Sequence, residues 1–289
     1  MPDGSAPRVD RTVVVAQLLL CASLVVAGYI PYTWIMDSFV TARQTELAQE
    51  DLTSQLNARW ERESQMIPGA AETATTVSDG AASDSADADP QAEWIMHIPR
   101  LDYPGYKWKY AVVEGIGVDD IRYGPGHDPS TTQPGEVGNA VFAAHRNGRG
   151  SPFDGLDRFA PCDQILIEKK DVVLTYLVLP FSDESAKRYS ESAGCFDSDT
   201  AVNVSTGKYQ RVLGREVVTP DQVEILDPLP DGSGREPDES LITLYTCHPR
   251  YSNRQRLVIR AALYSVENRA LWQERTIPSG GDGLWLGEA

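Results

Sequence analysis

The sequence predicts an all-β fold, a barrel or sandwich with one or two short helices. Between Trp94 and Ser265 the apolar residues fall in short runs: YAVVEGI, NAVFAAH, QILIEKK, VVLTYLVL, QRVLGREVV, LITLYT and RLVIRAALY. Gly, Pro and Asp break these runs, and the chain's 23 glycines and 19 prolines suit turns between strands better than a helical bundle. No long segment of helical period interrupts them. With 289 residues, 41% of them hydrophobic, the chain has room for one domain with a real core plus additional segments. A net charge of −16 argues against nucleic acid as a partner, because a phosphate backbone needs a basic surface.

Taken in order, residues 1–11 end with Arg8 and Arg11, and the stretch Thr12–Met36 that follows has no charged residue. That stretch is long enough for a helix to cross about 30 Å of hydrocarbon. Tyr29, Tyr32 and Trp34 sit at its far end, where interfacial aromatics gather, and the arginines place the N-terminus in the cytoplasm. The expectation is a single-pass anchor in the cell membrane (12–36) with the rest of the chain outside; a cleaved signal peptide is the alternative. Within 37–92, Leu52, Leu56 and Trp60 are spaced by four and predict a short amphipathic stalk helix over Thr45–Met66. Ala71–Pro90 is small and acidic, buries too little surface to offset its ordering entropy, and predicts a flexible tether between membrane and domain.

The folded domain is expected over 93–267. PFDGLDRF, Pro152–Phe159, is a candidate helix with Pro near its start. An insertion at about 170–207 contains the polar run SDESAKRYSESAGCFDSDTAVNVSTGK, a long loop or small subdomain between two strands. Residues 268–289 form a Gly-rich, acidic tail with Trp272 and Trp285, expected to pack only in part.

The four cysteines divide by place. Cys21 falls in the apolar stretch, where it acts as a small apolar residue. Cys162 and Cys195 lie where oxidation is permitted and are candidates for a disulfide stapling the insertion to the barrel; spacing alone leaves their pairing open. Cys247 is then unpaired, either a reactive thiol or a buried inert residue at a strand end. It follows LITLYT, and the loop HPRYSNRQ leads to a second strand opened by Arg256. A thiol needs a base or a cation to become a nucleophile. His145 ends NAVFAAH and is the best-placed base. His248 adjoins Cys247, and neighbours on an extended chain point to opposite sides. His127 reads as a turn residue and His97 as a structural strand residue. No metal and no cofactor are expected.

These residues resemble the signature of the sortases, membrane-anchored cysteine transpeptidases of Gram-positive bacteria: TLxTC at a strand end, an upstream histidine, and an arginine opening the next strand. Here they are Thr243-Leu244-Tyr245-Thr246-Cys247, His145 and Arg256. The segments at about Ile98–Ile167 and Gln210–Tyr264 resemble the class E sortases of actinobacteria. The resemblance implies an eight-stranded sortase-like β-barrel preceded by one transmembrane helix. It implies Cys247 as nucleophile, His145 as general acid/base and Arg256 as holder of substrate and oxyanion, with Ala144, Leu244 and Thr246 as substrate-binding residues. The implied partners are secreted proteins with a C-terminal sorting signal and an amine of a cell-wall precursor or of peptidoglycan. Two departures stand out: Ala144 occupies a place where the family usually has glycine, and the insertion is longer than in most relatives.

Three alternatives remain. A pilin-polymerising sortase shares the chemistry, but such enzymes often carry an Asp-Pro-aromatic lid motif, which is not found before Trp94. An L,D-transpeptidase places its cysteine in a Ser-x-Gly-Cys context, unlike Tyr245-Thr246-Cys247. A catalytically inactive, membrane-tethered β-domain would bind surface partners without using the three residues.

Overall fold

The computed structural model describes residues 11–65 and 91–276, and between 11 and 39 the side chains of Leu20 and Ser23 only. Among the described residues nine strands form one sheet: β1 (Ala92–His97), β2 (Lys109–Glu114), β3 (Gly126–His127), β4 (Gly138–Ala143), β5 (Gln164–Glu168), β6 (Val172–Val178), β7 (Arg215–Val218), β8 (Ser240–His248) and β9 (Gln255–Asn268). Their order is β6-β5-β1-β2-β3-β4-β8-β9-β7, and β6 also pairs with β9, which closes the sheet into a barrel. The closed ring holds eight strands, as expected: the two-residue β3 bridges β2 and β4, and β7 pairs with β9 alone, beside β6. β2 with β3 and β4 with β8 run parallel.

Period-two alternation decides what fills the barrel. Along β4, β8 and β9, Ala140, Phe142, Ile242, Leu244, Leu257, Ile259 and Ala261 point inward to the main core, with Trp94, Met96, Ile165, Ile167 and Tyr176 from other strands. The alternate residues face outward and meet what packs outside. PFDGLDRF forms only a short 3-10 turn at Leu156–Arg158, because Phe153, Leu156 and Phe159 are all drawn into the core.

The segment expected as an insertion at about 170–207 begins with β6, which is a barrel strand bonded to β5 and β9. Two short helices, α2 (Ser185–Ser192) and α3 (Ser198–Thr206), follow. Asp197 caps α3 by accepting from the backbone N–H groups of Asp199 and Thr200. Ala201 and Val204 pack on the outward residues Leu177, Leu241 and Ala262, forming a second core outside the barrel wall. Arg188 is fully buried, and its guanidinium donates to the carbonyls of Pro180, Ser182, Val204, Tyr209 and Val212. A disulfide joins Cys162 to Cys195, with Cα atoms 5.8 Å apart, and ties α2 to the loop before β5.

The N-terminal helix α1 runs from Arg11 to Gln65 without a break. Its Leu52, Leu56 and Trp60 do not form a free stalk: they are buried against Ala92, Ile95, Ala111 and Val113 on the barrel wall. The Gln49 amide imitates a strand partner, accepting from the Ala111 N–H at 2.6 Å and donating to the Ala111 and Tyr123 carbonyls. Arg59 donates to the Ala92 carbonyl and pairs with Glu93. The acidic stretch Ala71–Pro90, expected as a tether, lies outside the described residues, but the elements on either side of it are docked on each other. Residues 1–10 and 277–289 are likewise outside. The apolar stretch Thr12–Met36 falls within α1, with its side chains almost wholly outside the description; among the described residues no helix is long and apolar enough to cross a membrane. The expected tail starts with a helix, α4 (Arg269–Thr276), whose Arg269 stacks over Trp60 at 4.5 Å and bonds Glu168.

Candidate active site

Three adjacent strands build the site. β8 lies between β4 and β9 in the sheet. Across β8 and β9, Cys247 is directly opposite Arg256 in antiparallel register, so both side chains leave the same face. Across β4 and β8 the parallel register pairs Ala143 with Tyr245, and the Ala144 N–H still donates to the Tyr245 carbonyl. Carried two residues further, that register sets His145 beside Cys247. Parity confirms the face: Phe142, Leu244 and Leu257 point into the barrel, so residues 145, 247 and 256, at odd separation from them, point out. The three residues form a row on the outer face, each about one strand spacing, near 4.8 Å, from the next strand.

The same alternation corrects the expected substrate-binding set. Ala144, Leu244 and Thr246 have the opposite parity and are buried behind the row. Leu244 and Ala144 belong to the barrel core, and the Thr246 hydroxyl donates to the Ala144 carbonyl at 2.8 Å. Their buried side chains brace the segments that carry His145 and Cys247.

A cavity of about 890 Å³ opens beside His145 and Cys247, lined by them, by Arg146 and Asn147, and by Pro249 and residues 251–255 of the β8–β9 loop; Arg256 is not among its lining residues. Cys247 is a free, half-buried cysteine. His145 Nε2 is a buried atom with no hydrogen-bond partner among the described residues, so its hydrogen-bonding capacity is unused. Burial and the nearby Arg149 charge hold the His145 pKa below the usual histidine value, so the ring is neutral at neutral pH. Arg256 Nη1 donates to the carbonyls of Asn253 and Gln255, which pins its head to the turn beside Cys247. Arg254 lines the cavity, whereas Arg250 is engaged with Asp154 at 2.9 Å.

The other histidines have structural partners. His97 Nε2 meets the buried Glu168 at 3.0 Å. His127 lies in β3, not in a turn, held by Glu114 and the Thr132 carbonyl. His248 Nδ1 is 2.8 Å from Arg146 Nη1; arginine can only donate, so Nδ1 accepts and the ring proton is on Nε2. Arg146 also pairs with Asp157 at 3.1 Å. Its role was hidden in the sequence, where RNGRGSPF reads as a plain polar loop. Among the described residues no group of three or more His, Cys, Asp or Glu is placed to hold a metal.

Comparison with known proteins gives the geometry a context. The sortase domain family matches residues 96–264, more than half of the chain. Curated relatives include sortase SrtE1 of Streptomyces coelicolor, 27% identical over 57% of this chain and 38% of that protein. Sortase SrtE2 of the same organism is 32% identical over 46% of this chain and 39% of that protein. The chain thus aligns with about two fifths of the length of these curated relatives. Among solved structures, the SrtF sortase from Corynebacterium diphtheriae superposes with a TM-score of 0.58 and 36% identity, covering 62% of this chain and 87% of that one. A family match that spans the whole barrel and takes in the row of histidine, cysteine and arginine settles kinship: the chain is a class E-like member of the sortase family, whose members are cysteine transpeptidases.

Proposed function

We propose that the protein is a membrane-anchored sortase that cleaves the Thr–Gly bond of an LAXTG- or LPXTG-type sorting signal and transfers the threonine to a cell-wall amine. The observation that carries this is the row that the strand register sets across three neighbouring strands, His145, Cys247 and Arg256, with one cavity lined by both His145 and Cys247. Neutral His145 takes the Cys247 proton, and the thiolate attacks the threonine carbonyl. Arg256 supplies charged donors to the oxyanion as it forms. The same histidine then returns its proton to the departing glycine amine, leaving a thioacyl enzyme. An incoming amine gives a proton to His145, displaces the sulfur and restores the thiol.

The surroundings fit an enzyme of the cell surface. The Cys162–Cys195 disulfide suits an oxidising exterior. Thr12–Met36, uncharged and followed directly by the docked part of α1, would anchor the catalytic domain outside a single membrane span. Its partners are then secreted proteins bearing a C-terminal sorting signal and an amine of a cell-wall precursor or of peptidoglycan.

The test uses the full chain in detergent with a labelled LAXTG peptide and intact-mass detection of the thioester. The wild type acquires the acyl mass and Cys247→Ala does not. No adduct on the wild type, or an adduct that persists in Cys247→Ala, sinks the transpeptidase reading and leaves the inactive binding domain.

A further inference from the structure

His145 borders two cavities, not one. The first is the cavity it shares with Cys247. The second, about 630 Å³, lies on the side of α1 and is lined in part by Thr41, Gln44, Arg122, His145, Arg149 and Tyr251. Asn147 and Tyr251 also line both, so the partition between the cavities is the loop after β4 and the tip of the β8–β9 loop. A transpeptidase has two substrates that need the same proton-transfer group in turn, and the orphaned Nε2 of His145 is that group.

The second cavity has an unusual charge. In a chain of net charge −16, its lining contains Arg122, Arg149 and His145 and no carboxylate. Arg122 is paired with Asp119. Arg149 is half-buried and makes no hydrogen bond or ion pair among the described residues. It also holds φ +49, a left-handed backbone conformation that non-glycine residues rarely adopt. An unpaired guanidinium held in that way, next to a proton acceptor, is a poor place for a free ammonium and a good one for a carboxylate.

We propose that this cavity is the acceptor site, and that it takes an amine carrying a carboxylate close by, with Arg149 gripping the carboxylate and the amine nitrogen presented to His145. The proposal rests on the transpeptidase reading and adds its second substrate class. The chemistry balances: the amine N–C bond forms, the Cys247 S–C bond breaks, and the amine proton passes through His145 to the sulfur.

A matched pair of probes tests it. Lysine and 1,5-diaminopentane differ by one carboxylate. The full chain, acylated with a sorting-signal peptide, is offered each amine, and KM is measured for the aminolysis product. The expectation is a KM about tenfold or more lower for lysine, one charge-assisted contact's worth. That preference disappears in Arg149→Gly, which suits the left-handed backbone, and survives in Arg149→Lys, which keeps the charge. Equal KM values for the two amines in the wild type overturn the proposal, as does a preference retained in Arg149→Gly. Failure to form the acyl enzyme at all is seen before any amine is added and overturns the underlying reading instead.

Discussion

Arg146 is the buried side chain that joins the segments carrying the proposed base and nucleophile. It is 3% exposed, and its fork spans Asp157, His248 Nδ1 and, at 3.5 Å, the Cys247 carbonyl. It follows His145 directly, so one side chain ties the strand leading to His145, the proposed base, to the strand carrying Cys247, the proposed nucleophile. A lysine keeps the charge but cannot reach these partners at once. Arg146→Lys is therefore expected to lower kcat about tenfold or more, since misplacement of reacting groups by a fraction of an ångström is costly. Its KM for the sorting peptide should change little, and stability should fall by about 1–3 kcal/mol. Steady-state kinetics together with thermal unfolding check this; a pure loss of stability with intact kcat at low temperature would show that Arg146 does not position the site. At this scale the sequence brought Cys247, His145 and Arg256 together through one motif, and the strand register sets the three in one row. It was silent on Arg146 and Arg149, because a charged residue in a Gly-rich loop looks the same whether it is solvated or clamped. Ala144, Leu244 and Thr246 are close to the site in sequence, but their parity relative to His145 and Cys247 turns their side chains inward.

Helices and strands differ in how much of their placement can be read beforehand. The barrel strands announce themselves, since β-branched runs between turn residues have few other solutions. α2 and α3 do not, because each is short and polar and owes its place to the disulfide, the Asp197 cap and the buried Arg188. α4 depends on a polar latch: Glu168, 2% exposed, receives Arg269 Nε at 2.5 Å, Gln273 Nε2 at 3.0 Å and His97 Nε2 at 3.0 Å. Burial alone would raise the Glu168 pKa, but the hydrogen bonds and charges of His97 and Arg269 outweigh it and hold it at about 2. A carboxylate with a depressed folded pKa stabilises the fold above its unfolded value, here 4.5, and that stabilisation is lost as pH falls from there through about 2. Acidification is thus expected to loosen α4 and the adjoining Trp60 face of α1. Glu168→Gln should flatten the drop in melting temperature across that window while lowering the melting temperature at neutral pH. A wild-type melting temperature that stays constant from pH 5 to pH 2 would remove the latch from the account.

The whole molecule differs from a domain on a string. The spacing of Leu52, Leu56 and Trp60 showed a helical face, but not the barrel wall that covers it, and without that partner the acidic stretch looked like the link to the membrane. In the structure α1 itself joins the apolar stretch to the barrel. It passes unbroken from the apolar stretch to Gln49 and Trp60, which are fixed to the barrel, and its Thr41 already lines a cavity with His145. From Met36 to Thr41 a helix rises about 8 Å. If Thr12–Met36 spans the membrane, the face carrying His145 and Cys247 is held at the membrane surface at a set height. The two organisations predict opposite outcomes for two insertions. Seven helix-forming residues after Met36 preserve the docked face of α1 but raise the barrel by about 10 Å. Processing of a substrate embedded in the same vesicle should then fall several-fold, while cleavage of a soluble sorting peptide by the same protein in detergent is unchanged. Twenty Gly/Ser residues inserted within Ala71–Pro90 should alter neither rate, since loop length adds little to the closure entropy of ends already held together. Vesicle assays of both variants decide the matter: a tolerated helix insertion with a harmful loop insertion would return the acidic stretch to the role of tether.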